Sequence, residues 1–336
     1  MKLHWAPVMV VAVVLAAAGC NKSGKLAEKS TFKTPTGPVE LKLKWPVGER
    51  IVHDMDMKMK VETSGAGLPA QAQEGANVTM GQKFTMTVLK DLPEGGHEVE
   101  LEFLSMRMGM EAGGKKVLDY DSDAKKGSKD PMAEVMGKVI GSKVDFFLNA
   151  SNDVDHMEGV DSLMAKLTAG GNQQAAASIQ GMFSESYFKQ MMSSSRFLPS
   201  HAVAPGDSWP VQLEFPIDPV GTLELNYTVT LEKWEMHGAR NCARLEFQGD
   251  IKSKPGSKSA MPGGSVSFRD GNTSGVSWFD PELGVVIDTD VQQDFTMVVS
   301  FPSPQRNKNA KNAKPEMMTM TNHLAQTLNL KLDSVK

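Results

Sequence analysis

Cysteine is nearly absent: the 336 residues contain two, Cys20 and Cys242. That count excludes a CxxC redox motif and a cysteine zinc cluster. If Cys20 is used elsewhere, Cys242 has no partner within the chain, and the fold must hold by its core without disulfides. A basic excess is also missing. Lys and Arg total 36 against 40 Asp and Glu, a formal net charge of −4, which argues against nucleic acid as a partner. After Cys20 there is no apolar run of the ~20 residues that a membrane-crossing helix needs. There is no G-x-S-x-G, no H-E-x-x-H and no glycine-rich phosphate loop. Ser186-Tyr187-Phe188-Lys189 spells S-x-x-K, but the companion S-D-N and K-T-G motifs do not follow it. The histidines after Cys20 (His53, His97, His156, His201, His237 and His323) are scattered singly. The expectation is a protein that is not an enzyme and carries no cofactor.

What is present begins with an address. "MKLHWAPVMVVAVVLAAAGC" has an early cation, Lys2, then an apolar run from Ala6 to Ala18 that is too short to span a bilayer. Small residues follow it, as in a secretory signal, and they lead into Gly19-Cys20. The stretch resembles a bacterial lipoprotein signal, with Ala17 where that signal usually has leucine. The resemblance implies loss of residues 1–19, thioether lipidation of Cys20 and acylation of the new amino terminus. Several acyl chains anchor stably, since each buried CH₂ contributes about 0.8 kcal/mol. Asn21 follows the cysteine instead of the aspartate that tends to retain such proteins in the inner membrane. The expected location is the cell envelope, with the outer membrane favoured over the inner, periplasmic or surface-exposed. The membrane is the first expected partner.

Residues 20–37 are polar, lysine-rich and without apolar period, and read as a lipidated cysteine with a flexible tether. Lys22, Lys25, Lys29 and Lys33 are placed to meet anionic headgroups. Beyond the tether, apolar residues alternate with polar ones. Ile51, His53, Met55, Met57, Met59 and Val61 share one face; Leu223, Leu225, Tyr227, Val229 and Leu231 share another. Such alternation marks antiparallel strands with one buried face. Val99, Leu101 and Phe103 hold odd parity, then Leu104, Met106, Met108 and Met110 hold even parity. A one-residue slip of this kind predicts a β-bulge.

The pattern repeats. Lys83–Phe103 lies over Asn226–Phe247 with one inserted residue, Pro46–Ile51 parallels Ala204–Trp209, and Lys143–Gly159 parallels Gly275–Asp290. This predicts a first β half (38–157) and a second (197–336), separated by a helical insert (158–196) rich in Ala, Gln, Met and Ser. The predicted fold class is mainly β with a minor α part. It is a curved antiparallel sheet or half-barrel built from two related halves, with the central helices packed on its apolar face. The lipidated cysteine, lysine-rich tether, two β halves and Gly-Asp-Ser-Trp signature (Gly206–Trp209) together resemble a family of bacterial lipoproteins with no assigned activity.

Methionine is abundant, at 23 residues. Thioether sulfur and imidazole are ligands for Cu(I), and methionine also fills irregular cores and adaptable binding surfaces. Three readings follow. In the first, Met55, Met57, Met59, Met106 and Met108 line a groove for a lipid or other apolar ligand, or for an envelope protein partner. In the second, the helices close the core and the protein works through its surface. In the third, His53 and the methionines bind copper. Asp119, Asp121 and Asp123 also match the first, third and fifth positions of a calcium loop. Ala124 stands where that loop needs glycine, however, and a solvated turn is the better reading.

Overall fold

The computed structural model describes residues 23–24, 26, 28–65, 74–124, 131–169, 183–217, 221–255, 264–302 and 317–336. Cys20, the signal stretch, residues 170–182 of the expected helical insert, and residues 66–73 and 303–316 lie outside those residues.

Among the described residues there are thirteen strands in one sheet. They are β1 (Ser23–Gly24), β2 (Arg50–Ser64), β3 (Ala76–Asp91), β4 (His97–Ala112), β5 (Lys115–Asp121), β6 (Lys143–Leu148), β7 (Val154–Glu158), β8 (Ser208–Ile217), β9 (Gly221–His237), β10 (Arg240–Ser253), β11 (Ser265–Asp280), β12 (Val285–Pro302) and β13 (Met317–Val335). The order across the sheet is β7-β6-β4-β3-β2-β13-β12-β11-β10-β9-β8. β5 pairs with β4 beside this path, and β1 pairs in parallel with the end of β13; every other pairing is antiparallel. The sheet is open, with β7 and β8 at its edges. The mainly β class, the single curved antiparallel sheet and the helices on its apolar face are as the alternation predicts.

The strands that the sequence repeat aligns follow one another in the same direction across the sheet. β4-β3-β2 in the first part is matched by β10-β9-β8 in the second. β13, the last strand, lies between the two parts and pairs with β2 on one side and β12 on the other.

The slip at Phe103/Leu104 is a bulge. Phe84 faces Phe103 and Lys83 faces Ser105, so Leu104 has no opposite residue. It returns Met106 to the buried face that Phe103 occupies. Close approach of neighbouring strands in the second part depends on glycine. A β-carbon on Gly275 would collide with the Asp290 carbonyl and the Phe247 ring, and one on Gly249 would collide with Tyr227. Gly275 faces Phe247 and Gly249 faces Tyr227 across paired strands. The Phe247 ring thus covers the bare backbone at Gly275, and the Tyr227 Cα and Cβ close over Gly249.

Among the described residues three short helices complete the core: α1 (Pro131–Gly137), α2 (Val160–Thr168) and α3 (Glu185–Met191), the last continuing into a 3-10 segment over Met192–Phe197. Phe188 N–H donates to the Ser184 carbonyl at 3.1 Å, opening α3 at a serine, a residue suited to a helix start. The aromatic residues of this region reach both parts of the sheet. Phe183 meets Phe103 edge-on at 5.6 Å, and Phe188 lies 6.1 Å from Phe146. Phe197 meets Phe247 edge-on at 5.4 Å.

The segment expected as a flexible tether is docked: Ser23 and Gly24 pair with Ser334 and Val335, Leu26 is buried, and residues from Glu28 onward bond to the sheet. Ser30 N–H donates to the Ala239 carbonyl at 2.9 Å. The Asn241 amide donates to the Phe32 carbonyl and the Thr34 hydroxyl, both at 3.2 Å. The Phe32 ring lies 5.4 Å from Trp234. Polar bonds hold the segment beside two isolated apolar contacts, Leu26 and Phe32, so it shows no apolar period.

Candidate functional site

On β2 the alternation places Met55, Met57 and Met59 inward, at 1%, 1% and 2% exposure, while Asp56, Lys58 and Lys60 face water. Register brings partners to each. Met57 faces Met80 on β3, and Met80 faces Met108 on β4, giving a row of three methionines across three strands. Met55 faces Gln82, which faces Met106. On the other side Met55, Met57 and Met59 face Leu330, Leu328 and Gln326 of β13. The five methionines singled out in the sequence therefore do lie on one patch. Met80 belongs with them; its even parity on β3 was a signal for it. Met108 is half-buried and the other four are buried. They belong to one continuous apolar cluster with Phe103, Phe146, Phe183, Phe188, Phe197 and Phe247.

His53 leads this row and is fully buried. Its ring stacks on Phe84 with centroids 5.2 Å apart, and its Nδ1 has no hydrogen-bond partner among the described residues. Burial lowers its pKa to about 4, because a charged imidazole would lose its water there. The nearby Gln82 Nε2 is also buried and unpartnered. Among the described residues no group of three or more His, Cys, Asp or Glu side chains is placed to hold a metal ion.

The acidic cluster does not form a loop around a cation. Asp119 and Asp121 sit on β5, facing Gly109 and Arg107 of β4. Asp119 pairs with Lys116 at 2.5 Å, and the Asp121 carboxylate accepts the Asp123 N–H at 2.9 Å. An extended strand carries these carboxylates along its length instead of wrapping them about one point. Cys242 is fully buried, and burial pushes its thiol pKa up, so it is shielded and protonated.

The Gly-Asp-Ser-Trp signature is architectural. Gly206 takes a φ of 96°, and its N–H donates to the Leu231 carbonyl at 2.8 Å. Asp207 accepts the Ala204 N–H at 2.8 Å and closes the turn. The Ser208 and Thr230 hydroxyls bond at 2.8 Å, and the Trp209 indole donates to the Phe197 carbonyl at 3.0 Å. The four residues start the edge strand β8 and tie it to the 3-10 segment.

Concave surface is found on the wet side. A cleft of about 530 Å³ runs across β3, β2, β13, β12 and β11, lined by Lys58, Asn77, Thr79, Gln292, Asp294 and Thr327 among others. A second, of about 450 Å³, adjoins it through Ser274 and Gln292 and reaches Thr228 and Gln248. A third, of about 460 Å³, lies by Glu74, Glu111 and Gly113. Of the five singled-out methionines only Met59 borders one of these clefts.

A buried ion pair fastens the docked N-terminal segment. Arg240 and Asp280, 4% and 0% exposed, bond Nε to Oδ2 at 2.5 Å. Arg240 Nη2 reaches Glu282 at 2.7 Å, and Nη1 donates to the Glu28 carbonyl at 3.3 Å. Glu282 accepts from the Thr31 hydroxyl, from the Ser30 hydroxyl at 2.8 Å and from the Thr31 N–H at 3.1 Å. The Thr31 hydroxyl, together with Ser30 and Arg240, holds the Glu282 carboxyl down to about 2.

A family model described as a family of unknown function, DUF6263, matches residues 94–286, from the β3–β4 hairpin to the start of β12. The chain belongs to this family. The DUF6263 region takes in the signature, the helices and the Arg240–Asp280 pair, but not β2 or β13. No curated protein matches the sequence. Among solved structures, the chain is similar to a candidate exported protein with a YmcC-like fold from Bacteroides fragilis. Identity there is 10%, coverage 89% of this chain and 100% of that one, and the TM-score 0.28. A candidate lipoprotein from Parabacteroides distasonis follows at 12% identity, 88% and 99% coverage and a TM-score of 0.27. An outer membrane channel from Pseudomonas putida scores 0.18 at 8% identity, with 89% and 100% coverage. Scores this low carry no inference about this member of DUF6263.

Proposed function

We propose that this chain is a lipid-anchored, non-enzymatic protein of the bacterial cell envelope that works through its surface over a closed core. The observation that carries the reading is the burial of Met55, Met57, Met59 and Met106 beneath side chains of the chain itself, with no more than 2% exposure at any of them. Aromatic residues from the helical region fill the sheet's apolar face from Phe103 to Phe247. A groove would leave thioethers open; here they take the part of irregular-gap filler. The polar clefts on the opposite face are the concave surface on which an envelope partner is met. The anchor rests on the Ala17-Ala18-Gly19-Cys20 stretch.

Native mass spectrometry of the soluble chain, begun at residue 21 and extracted mildly, tests the core. The bare chain mass is expected. A stoichiometric lipid adduct would restore the groove reading. In the same preparation Cu(I), added against a chelating competitor, should leave the mass unchanged. A one-copper adduct abolished by His53→Leu would instead favour the metal reading.

A further inference from the structure

The antiparallel order gives the sheet two distinct ends. One carries the β3–β4 hairpin, the β9–β10 and β11–β12 turns, the start of β2 and the end of β13. The other carries the Gly113-Gly114 turn and the start of β13 at Met317. The N-terminal segment enters at the first end. Ser30 bonds to Ala239 in the β9–β10 turn, and Lys44 N–H donates to the Gly284 carbonyl at 3.0 Å in the β11–β12 turn. Ser23 and Gly24 pair with Ser334 and Val335 at the same end.

Distance then decides which end an anchor on Cys20 serves. Eight chain steps lead from Cys20 to Glu28, whose carbonyl is held by Arg240. Fully extended, they reach about 28 Å. β13 alone has 19 residues and at strand rise is roughly 60 Å long. Acyl chains on Cys20 therefore bring the first end to the bilayer and cannot bring the second.

The first end is also suited to that surface. Val47 is 53% exposed in the turn before β2, and Leu89 and Met236 are exposed at the ends of β3 and β9. Gly48 N–H donates to the Val88 carbonyl at 2.8 Å, so Val47 and Leu89 flank a single backbone bond at this end. Lys29 and Lys33 are exposed on the docked segment. Short apolar side chains with ammonium groups beside them fit a headgroup layer that is apolar below and anionic above. Val117 and Met317, the other large exposed apolar residues among those described, lie towards the far end.

Resting on the lipid-anchor reading above, we propose that the β3–β4, β9–β10 and β11–β12 end lies on the headgroup surface of the anchoring leaflet. Val47, Leu89 and Met236 touch it, and the sheet stands away from the membrane. The test uses the full lipidated chain in vesicles of phosphatidylethanolamine with a minority of phosphatidylglycerol. Val47→Cys and Met317→Cys are each labelled with an environment-sensitive fluorophore; Cys242 is buried and does not compete. Label at residue 47 should shift to the blue on vesicles and be quenched by a quencher attached to lipid, while label at 317 should do neither. Intact mass of the same sample reports acylation. Acylated protein with a silent label at 47, or a response at 317 instead, overturns the orientation alone. Protein without acyl mass overturns the anchor and the orientation with it.

Discussion

Replacing Arg240 with alanine should cost about 3–5 kcal/mol of stability, because it leaves a carboxylate buried without its counter-charge. Asp280 is fully buried, and its Oδ1 already accepts the Glu282 and Leu283 N–H groups at 2.8 and 3.1 Å. Its Oδ2 depends on Arg240 Nε. Without the guanidinium that oxygen faces neither water nor a donor, and the penalty for burying charge is no longer offset. The loss extends to the N-terminal segment, since Arg240 also bonds the Glu28 carbonyl and Glu282, which in turn holds Ser30 and Thr31. Urea unfolding should show the midpoint fall, and limited proteolysis should cut the variant within 28–34 first. A paired variant, Arg240→Met with Asp280→Asn, removes both charges and keeps an acceptor for the two turn N–H groups. It should recover most of the lost stability. A single-variant loss below roughly 1 kcal/mol would mean that the pair behaves as a surface bridge.

Acidification should weaken the fold through His53. Its folded pKa of about 4 lies below the 6.5 of a free imidazole. The unfolded chain therefore takes up the proton first as pH falls. Stability is complete above about pH 6.5, is lost progressively towards pH 4 and falls no further on this account below that, for a total of about 3 kcal/mol. Urea midpoints followed from about pH 7 to about pH 4.5 should decline more steeply for the natural chain than for His53→Leu. Leucine continues the row that Leu332 begins opposite it on β13. Parallel slopes for the two proteins would show that the imidazole is not shut away from solvent.

The strands were readable because one face of each is dry, and a dry face writes itself as alternation. β2 follows its pattern from Ile51 to Val61, and even the bulge at Leu104 left a one-residue slip that the parity of Met106 and Met108 recorded. The docking of residues 28–34 was not readable, because it rests on Arg240, Asn241 and Glu282, more than two hundred positions away, and on backbone carbonyls that carry no sequence signal. The Asp119, Asp121 and Asp123 spacing left two readings, with the solvated turn preferred over the cation loop, for a related reason. Alternate carboxylates suit a cation loop and the wet face of a strand equally well, and the pairing of β5 with β4 decides between them. Whether Met55 and its neighbours lined a groove or a core was likewise a question about what lies opposite. That depended on where Phe183, Phe188 and Phe197 settle, which no spacing along β2 encodes.

The position of β13 sets the order in which the molecule can be assembled. Met57 pairs with Leu328, and Leu328 with Val291, so a strand far along the chain joins the first long strand to the remainder. Contacts of such sequence separation carry a large loop-closure cost before they are rewarded, and folding is correspondingly slow. Until β13 arrives, β2 and β12 both present long unpaired edges, the kind of template on which chains aggregate. A chain stopped before Met317 is thus expected to be a hazard and not a smaller working version, and the final twenty residues act as the closing tooth of a zipper whose two sides are otherwise complete.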